Sequence, residues 1–406
     1  MINKNFEFKN NLNLNGMLKK TTTGKLAKIY EHSINELKKD LKNDKKTLSV
    51  LDEKFKFNFK YSDLNKFKKF KTIALIGMGG SILGSKAIYN FLKDKIKKKI
   101  YFFDDIDEKK IFNFKQRINL KKTLFLIISK SGNTVETLSN SYALNILKKN
   151  AKNVIIITEK KNNILFLISK KLNIFYIEHK NYIGGRYSVL SEVGIVPAFL
   201  MGIDIDKLRS RTLSFIFKND SLLKENVIKL SNIAHANKYK NLVFLNYAPK
   251  LEKFLFWCQQ LIAESLGKKG KGFLPTISNV PKDHHSLLQL YLDGPNDKIF
   301  YIFSIEEKSL NKIKSTQFIR ENIQILNNRS LNEIKNAQRK ALTKSFKRKK
   351  IPLREFKIKK VNEEVLGELF SYFILETVFI GKLMKVNPFD QPAVEQVKNY
   401  TKEFLS

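Results

Sequence analysis

Five short apolar runs, separated by helical patterning, constrain the fold more than any other feature of this chain. They are TIALI from Thr72, IYFF at Ile100 to Phe103, LFLIIS at Leu124 to Ser129, VIIIT at Val154 to Thr158 and IFYIE at Ile174 to Glu178. LFLIIS carries no charge and no polar alternation, so neither face of that strand can meet water, as in a parallel sheet. Strands alternating with helices imply right-handed crossovers and a sheet covered on both faces. Such sheets bind ligands just past the carboxyl ends of their strands. A second α/β unit opens at Asn241 with LVFLNY and continues with KIFYIFSI, Lys298 to Ile305. Helices are expected over 251–266, 331–349 and 362–384. Residues 1–68 are rich in Lys and Asn, with weak helical spacing over 24–42.

Composition narrows the class. A length of 406 residues allows two domains, and 43% hydrophobic residues excludes a disordered chain. Lys plus Arg total 76 against 38 Asp plus Glu, a net charge of +38. Charge on that scale raises nucleic-acid or anionic-membrane binding. Yet the lysines run along the whole length, as in KKK at 97–99 and KRKK at 347–350, beside abundant Phe, Ile and Asn. That is the pattern of AT-rich coding drift and a solvated surface rather than of a dedicated nucleic-acid face, though it still steers anionic substrates inward. Cys258 is the one cysteine, which excludes an intrachain disulfide and a thiolate metal cluster. The opening MINKNFEFKN has no apolar stretch of the secretory kind, so a cytoplasmic location is expected. The most apolar segment, 365–384, is interrupted by Glu368 and Glu376 and falls short of the roughly 20 residues a bilayer span needs. It reads as a core helix.

The turn after LFLIIS crowds Ser129, Lys130, Ser131, Gly132, Asn133, Thr134 and Thr137 in front of SYALNILKKN, which is spaced as a helix through Tyr142, Leu144, Ile146 and Leu147. Unpaired N–H groups, hydroxyls and a lysine at a helix start suit a phosphate. An ordinary cap, with Asn133 capping and Glu136 completing a box, is the alternative. Gly77-Met78-Gly79-Gly80-Ser81 invites a dinucleotide reading, but Ile82 occupies the place where glycine or alanine is required. A sugar or phosphate contact fits better. In IGGRYSVLSEVG, Gly184 and Gly185 allow close backbone approach and Arg186 offers a charged fork for an oxyanion, unless it is a surface arginine in a turn.

In the helix over 251–266, Leu251, Phe254, Leu255, Cys258, Leu261 and Ile262 share a face, and Gly267 is placed to cap its end. Glu264 falls in the last turn, off that stripe, where the helix dipole disfavours a carboxylate. It is either solvated or a general base. His284 and His285 begin an apolar helix without further ligands at metal spacing, so an acid/base role competes with helix capping. In the closing VNPFDQPAVEQVKNYTKEFL, Val394, Val397, Phe404 and Leu405 share a face and Lys398 lies among them. It either snorkels or points into a cleft.

The segments GMGGSILG (77–84), SKSGNTVET (129–137), GGRYSVLSEVG (184–194), ESLGKKGKGFLP (264–275), DHHS (283–286) and VNPFDQPAVEQVK (386–398) together resemble the glucose-6-phosphate isomerases of the short bacterial form. GGRYSVLS and VNPFDQP are specific in order and spacing. The resemblance implies two doubly wound parallel-sheet sandwich domains of the sugar-isomerase (SIS) type with an extra helical C-terminal segment. Its boundaries are an N-terminal helical extension at 1–68, SIS domains at 69–225 and 226–385, and a C-terminal helix at 386–406 packing back at the site.

By the same resemblance the chain interconverts glucose 6-phosphate and fructose 6-phosphate in glycolysis and gluconeogenesis. Ser129, Ser131, Thr134 and Thr137 hold the sugar phosphate, and Gly80, Ser81 and Lys130 line the pocket. Glu264 matches the general base, Arg186 the residue that stabilises the enediolate, His285 and Lys398 the ring-opening groups, and Gln391 a substrate contact. Ala393 stands where a glycine is common. The resemblance implies no cofactor, no metal, no nucleic-acid or membrane partner, and a homodimer with His285 entering the neighbouring subunit's site. A broader isomerase that also takes mannose 6-phosphate and a non-catalytic SIS sugar-phosphate sensor are the alternatives. A sensor would lack the set Glu264, His285 and Lys398.

Overall fold

In the computed structural model, which describes residues 5–12, 20–43, 45–218 and 220–405, the strands form two five-stranded sheets. Strand β1 (Phe6–Asn11) belongs to the second of them. The first sheet contains β2 (Thr72–Ile76), β3 (Lys99–Phe103), β4 (Thr123–Ile128), β5 (Val154–Thr158) and β6 (Phe175–Glu178) in the order β3-β2-β4-β5-β6. Every pairing in it is parallel. From β2 the chain moves out to β3, then crosses back to β4, so the topological switch point lies between β2 and β4.

The apolar runs behave as both-face-buried strands. Ile73, Leu75, Leu124, Leu126, Ile155 and Ile157 enter one core, while Ala74, Ile76, Phe125, Ile127 and Ile156 enter the other. Each large apolar side chain so buried contributes about 1.5–3 kcal/mol.

The second sheet orders β1 with β7 (Asn241–Asn246), β8 (Leu274–Asn279), β9 (Lys298–Ile305) and β10 (Leu353–Ile358) as β1-β10-β9-β7-β8. Only β1 runs antiparallel, with Phe6 opposite Ile358. The N-terminal stretch is therefore not a purely helical extension. Phe6 and Phe8 alternate into the core and convert it into an edge strand. Strand β10, LREFKI, escaped the sequence reading because Arg354, Glu355 and Lys357 mask its alternation.

The helices that position the site are α1 (Lys20–Asp40), α2 (Leu83–Phe91), α3 (Val135–Ala143), α4 (Glu192–Met201), α5 (Glu252–Leu266), α6 (His284–Asp293), α7 (Leu331–Arg348), α8 (Glu363–Leu383) and α9 (Glu395–Leu405). Helix α3 starts at Val135, six residues before the expected SYALNILKKN segment. It stops at Ala143 because Asn145 turns left-handed at φ 54°. Tyr142 is consequently exposed, and Leu144 and Ile146 are buried by a turn.

One core spans both sheets: Leu75 of the first and Phe244 and Phe303 of the second meet Leu255 and Leu261 of α5 and Phe370 and Phe373 of α8. Within it, α5 of the second unit packs on α2 of the first. Helix α8 is buried almost throughout. The two carboxylates in its interior, Glu368 and Glu376, are paired, as buried charges must be. Glu376 takes Arg354 Nη2 at 2.6 Å, and Glu368 takes Asn5 Nδ2 at 2.9 Å and Ser214 Oγ at 3.0 Å. Among the described residues no helix is long and apolar enough to cross a membrane.

Candidate active site

Two turns meet at the switch point. Gly77–Ser81 leaves β2 and Ser129–Thr134 leaves β4, its parallel neighbour. Ser129 Oγ lies 2.8 Å from Thr134 Oγ1 and 3.5 Å from Ser131 Oγ, which is 3.4 Å from Thr134 Oγ1. Three hydroxyls thus converge on one point. Thr134 occupies the N-cap of α3 without a side-chain capping bond, and Asn133 Oδ1 instead accepts from Ile164 N at 2.9 Å. The capping box is not formed, so the partial positive charge at the α3 start faces the hydroxyl cluster uncapped.

Thr137, one turn on, is fully buried and its hydroxyl has no hydrogen-bond partner. Lys130 donates to Asn181 O at 2.8 Å and lies 3.5 Å from Glu159. Burial pulls the pKa of its ammonium below the ordinary lysine value.

The glycine turn is fixed by what touches it. At Gly80 a Cβ would sit 2.2 Å from the carbonyl carbon of Gly185, so only glycine lets these two backbones meet. Ser81 closes the turn, partly exposed. This contact docks the 185–190 turn, and with it Arg186, onto the end of β2. Arg186 is only 2% exposed, not a surface arginine.

All five of its N–H donors are used. Nε donates to Ser265 Oγ at 2.8 Å, and Nη2 to Pro388 O and Asp390 O at 2.6 and 2.9 Å. Nη1 donates to Glu264 Oε2 at 3.2 Å and to Gln391 Oε1 at 2.6 Å. Only the Nη1 edge thus meets groups that a substrate could displace.

Glu264 ends α5, off its apolar stripe, with its side chain 32% exposed. Its second oxygen accepts from Gln260 Nε2 at 2.8 Å. Both oxygens are therefore oriented, and Gln260 rests against Gly79, whose φ of +50° suits glycine. Sequence reading missed Gln260, although its place one turn before Glu264 on the same helix was a signal. It also missed Tyr187, whose hydroxyl is 2.7 Å from both Ser265 Oγ and Pro388 O.

Two expected residues are not joined to this group. Amphipathic spacing puts Lys398 on the buried side of its helix. Instead every residue of α9 is exposed, and the Lys398 ammonium sits on Glu395 Oε1 at 2.6 Å. Val394, Val397 and Phe404 find no core in a single chain, so the apolar stripe that suggested burial faces outward. His285 is exposed in the first turn of α6. The α6 start is tied to the carboxyl end of β8, where Asp283 accepts from Asn279 N at 2.8 Å and Asn279 donates to Glu252 at 3.1 Å. Glu252 begins α5 and Glu264 lies in its last turn, about 18 Å apart at 1.5 Å per residue. Beside His285, His284 makes a 3.0 Å bond with Tyr247 Oη, and burial lowers its pKa. Among the described residues no group of three His, Cys, Asp or Glu side chains is arranged to hold a metal ion.

A carboxylate, a guanidinium and an amide beside a hydroxyl-lined helix start can bind a phosphorylated polyol and move a proton at carbon next to a developing oxyanion. Comparison with known proteins agrees with that chemistry. The sequence model of the family described as phosphoglucose isomerase matches residues 61–406. A probable glucose-6-phosphate isomerase of Methanococcus maripaludis is 36% identical, over 95% of this chain and 90% of its own. The glucose-6-phosphate isomerase of Methanocaldococcus jannaschii is 33% identical over 84% of each chain. A crystal structure of a hypothetical protein from Thermus thermophilus shares the fold with a TM-score of 0.80 at 23% identity, covering 99% of this chain and 100% of that one. By its sequence, this chain belongs to the phosphoglucose isomerase family.

Proposed function

We propose that the chain is a glucose-6-phosphate isomerase, interconverting glucose 6-phosphate and fructose 6-phosphate. The observation that carries this reading is the Glu264 carboxylate held at 3.2 Å by Arg186 and at 2.8 Å by Gln260. In the reaction Glu264 takes the proton from C2 of the open-chain aldose and returns it to C1. Arg186 faces the enediolate oxygen with its Nη1 edge, and Gln391 contacts the sugar. Ser129, Ser131, Thr134 and Thr137 hold the phosphate, with Gly80, Ser81 and Lys130 lining the pocket. Binding energy from that remote phosphate positions the reacting carbons.

His285 and Lys398 open the ring. His285 lies at the start of α6, which is tied through Asn279 to Glu252 at the opposite end of α5 from Glu264. This supports a homodimer in which His285 serves the neighbouring subunit. The division at 69–225, 226–385 and 386–406 belongs to the same reading, with β1 joined to the second unit, as does a cytoplasmic location. The test is a coupled assay converting fructose 6-phosphate to glucose 6-phosphate with purified protein and added chelator. Turnover is expected; none, with intact fold, rejects the reading. Mannose 6-phosphate in parallel sets its breadth.

A further inference from the structure

The loop after α5 ties two parts of the site together through a residue that neither the sequence reading nor the mechanism uses. Lys268 follows the capping glycine Gly267, and its side chain is 11% exposed. Its ammonium is 3.2 Å from Ser265 O, at the negative end of α5, where a cation is favoured. The same ammonium donates to Asn387 O and pairs with Asp390 Oδ1 at 2.9 Å. Asp390 Oδ2 in turn accepts from Asn387 Nδ2 at 2.9 Å. The 387–390 turn so gripped supplies Pro388 O and Asp390 O, the two acceptors of Arg186 Nη2, and leads directly to Gln391.

Two of the three attachments of Arg186 are thereby joined. Nε is fixed by Ser265, on α5 itself, and Nη2 by the turn. Lys268 closes the distance between them. Besides Lys268, the turn is held by Tyr187, whose hydroxyl bridges Pro388 O and Ser265 Oγ at 2.7 Å, by Asn387, and by Lys271, which donates to Met384 O at 2.9 Å, four residues upstream of Pro388. Of these only Tyr187 reaches the end of the helix that bears Glu264, and it does so at Pro388, whereas Lys268 holds Asn387 and Asp390 there.

We propose that Lys268 is a positioning residue for the isomerase reaction: it clamps the 387–390 turn to the carboxyl end of α5 and so aims the Arg186 guanidinium across Glu264. The inference rests on the isomerase reading. Its effect falls on the transition state, because ground-state binding relies mainly on the phosphate turn in the other unit.

The test compares the parent chain with Lys268→Met, Lys268→Arg and Asp390→Asn, measuring kcat and KM for fructose 6-phosphate and the melting temperature. Lys268→Met is expected to lower kcat about 10- to 100-fold, as small misplacements of reacting groups do, with KM changed by less than about threefold. Lys268→Arg, which keeps the charge and the donors, restores kcat to within about threefold of the parent. Asp390→Asn lowers kcat several-fold, and adding it to Lys268→Met costs nothing more, because both break one contact. Full kcat in Lys268→Met overturns the clamp. So does a loss in which KM and melting temperature move in step with kcat. If Lys268→Met does not fold, Asp390→Asn decides: unchanged kcat overturns the proposal. An inactive parent instead rejects the isomerase reading, whereas an active parent with indifferent variants rejects the clamp alone.

Discussion

Arg186 and Lys398 carry the same charge and are both expected at one site, yet they stand at opposite extremes of the molecule. Arg186 is 2% exposed and every donor is committed, to two segments, 264–265 and 388–391, that are far from it in sequence. The side chain of Lys398 is 59% exposed and pairs with a residue three positions away on the same helix. The Arg186 region is held together by hydrogen bonds within one chain. Lys398 and His285 are both exposed and lie outside that network, and α9 leaves Val397 at 67% and Phe404 at 86% exposure. The difference teaches that Glu264, Arg186 and Gln391 are brought together within one chain, whereas Lys398 and His285 stand apart from them.

The largest effect expected is at the carboxylate. Glu264→Gln keeps the bonds to Arg186 and Gln260 in outline but removes the base, so kcat falls about 10²- to 10⁴-fold while substrate affinity holds. Deuterium exchange at C2 measures this, and persistent exchange would break the assignment. Next comes Arg186→Lys. A point charge cannot span Ser265, Pro388, Asp390 and Glu264 together, and a loss of about 10²- to 10³-fold in kcat is expected. Rates close to those of the parent would show that the guanidinium is structural.

Gly80→Ala tests the docking of the two turns. Its Cβ would lie 2.2 Å from Gly185 C, and about 1–3 kcal/mol of stability should be lost in thermal or urea unfolding. Gly185→Ala is the contrast, since a Cβ there meets nothing nearer than 3.9 Å. Equal losses in the two variants would contradict the close approach.

The smallest effect concerns pH. Lys130 holds its proton below its pKa, and burial lowers that pKa. KM for the sugar phosphate should therefore rise on the alkaline side, at a lower pH than for an ordinary lysine near 10.4. Lys130→Arg should move the rise to higher pH; an unmoved KM profile would remove Lys130 from the pocket.

Much of this was legible in the sequence because burial on both faces leaves an unambiguous apolar run, as in β4 and β5. Glu264 stood out as a carboxylate off the apolar stripe of α5. What stayed hidden depended on partners distant in sequence. Arg354 makes β10 look exposed until Glu376, on another element, neutralises it. The α9 stripe misled for the complementary reason: amphipathic spacing marks an apolar face but does not say what that face meets. Likewise, nothing in GGRYSVLS reveals that the guanidinium of Arg186 is satisfied by carbonyls some 200 positions later.

The division between the two halves of the site is tested most directly by mixing Glu264→Gln with His285→Ala under conditions that allow subunits to exchange. Each variant alone should be nearly inactive. If His285 serves the neighbouring chain, mixed dimers regain one intact site, and the mixture recovers about a quarter of the parent activity. If both groups act within one chain, no mixed dimer contains an intact site, and the mixture stays as inactive as its components.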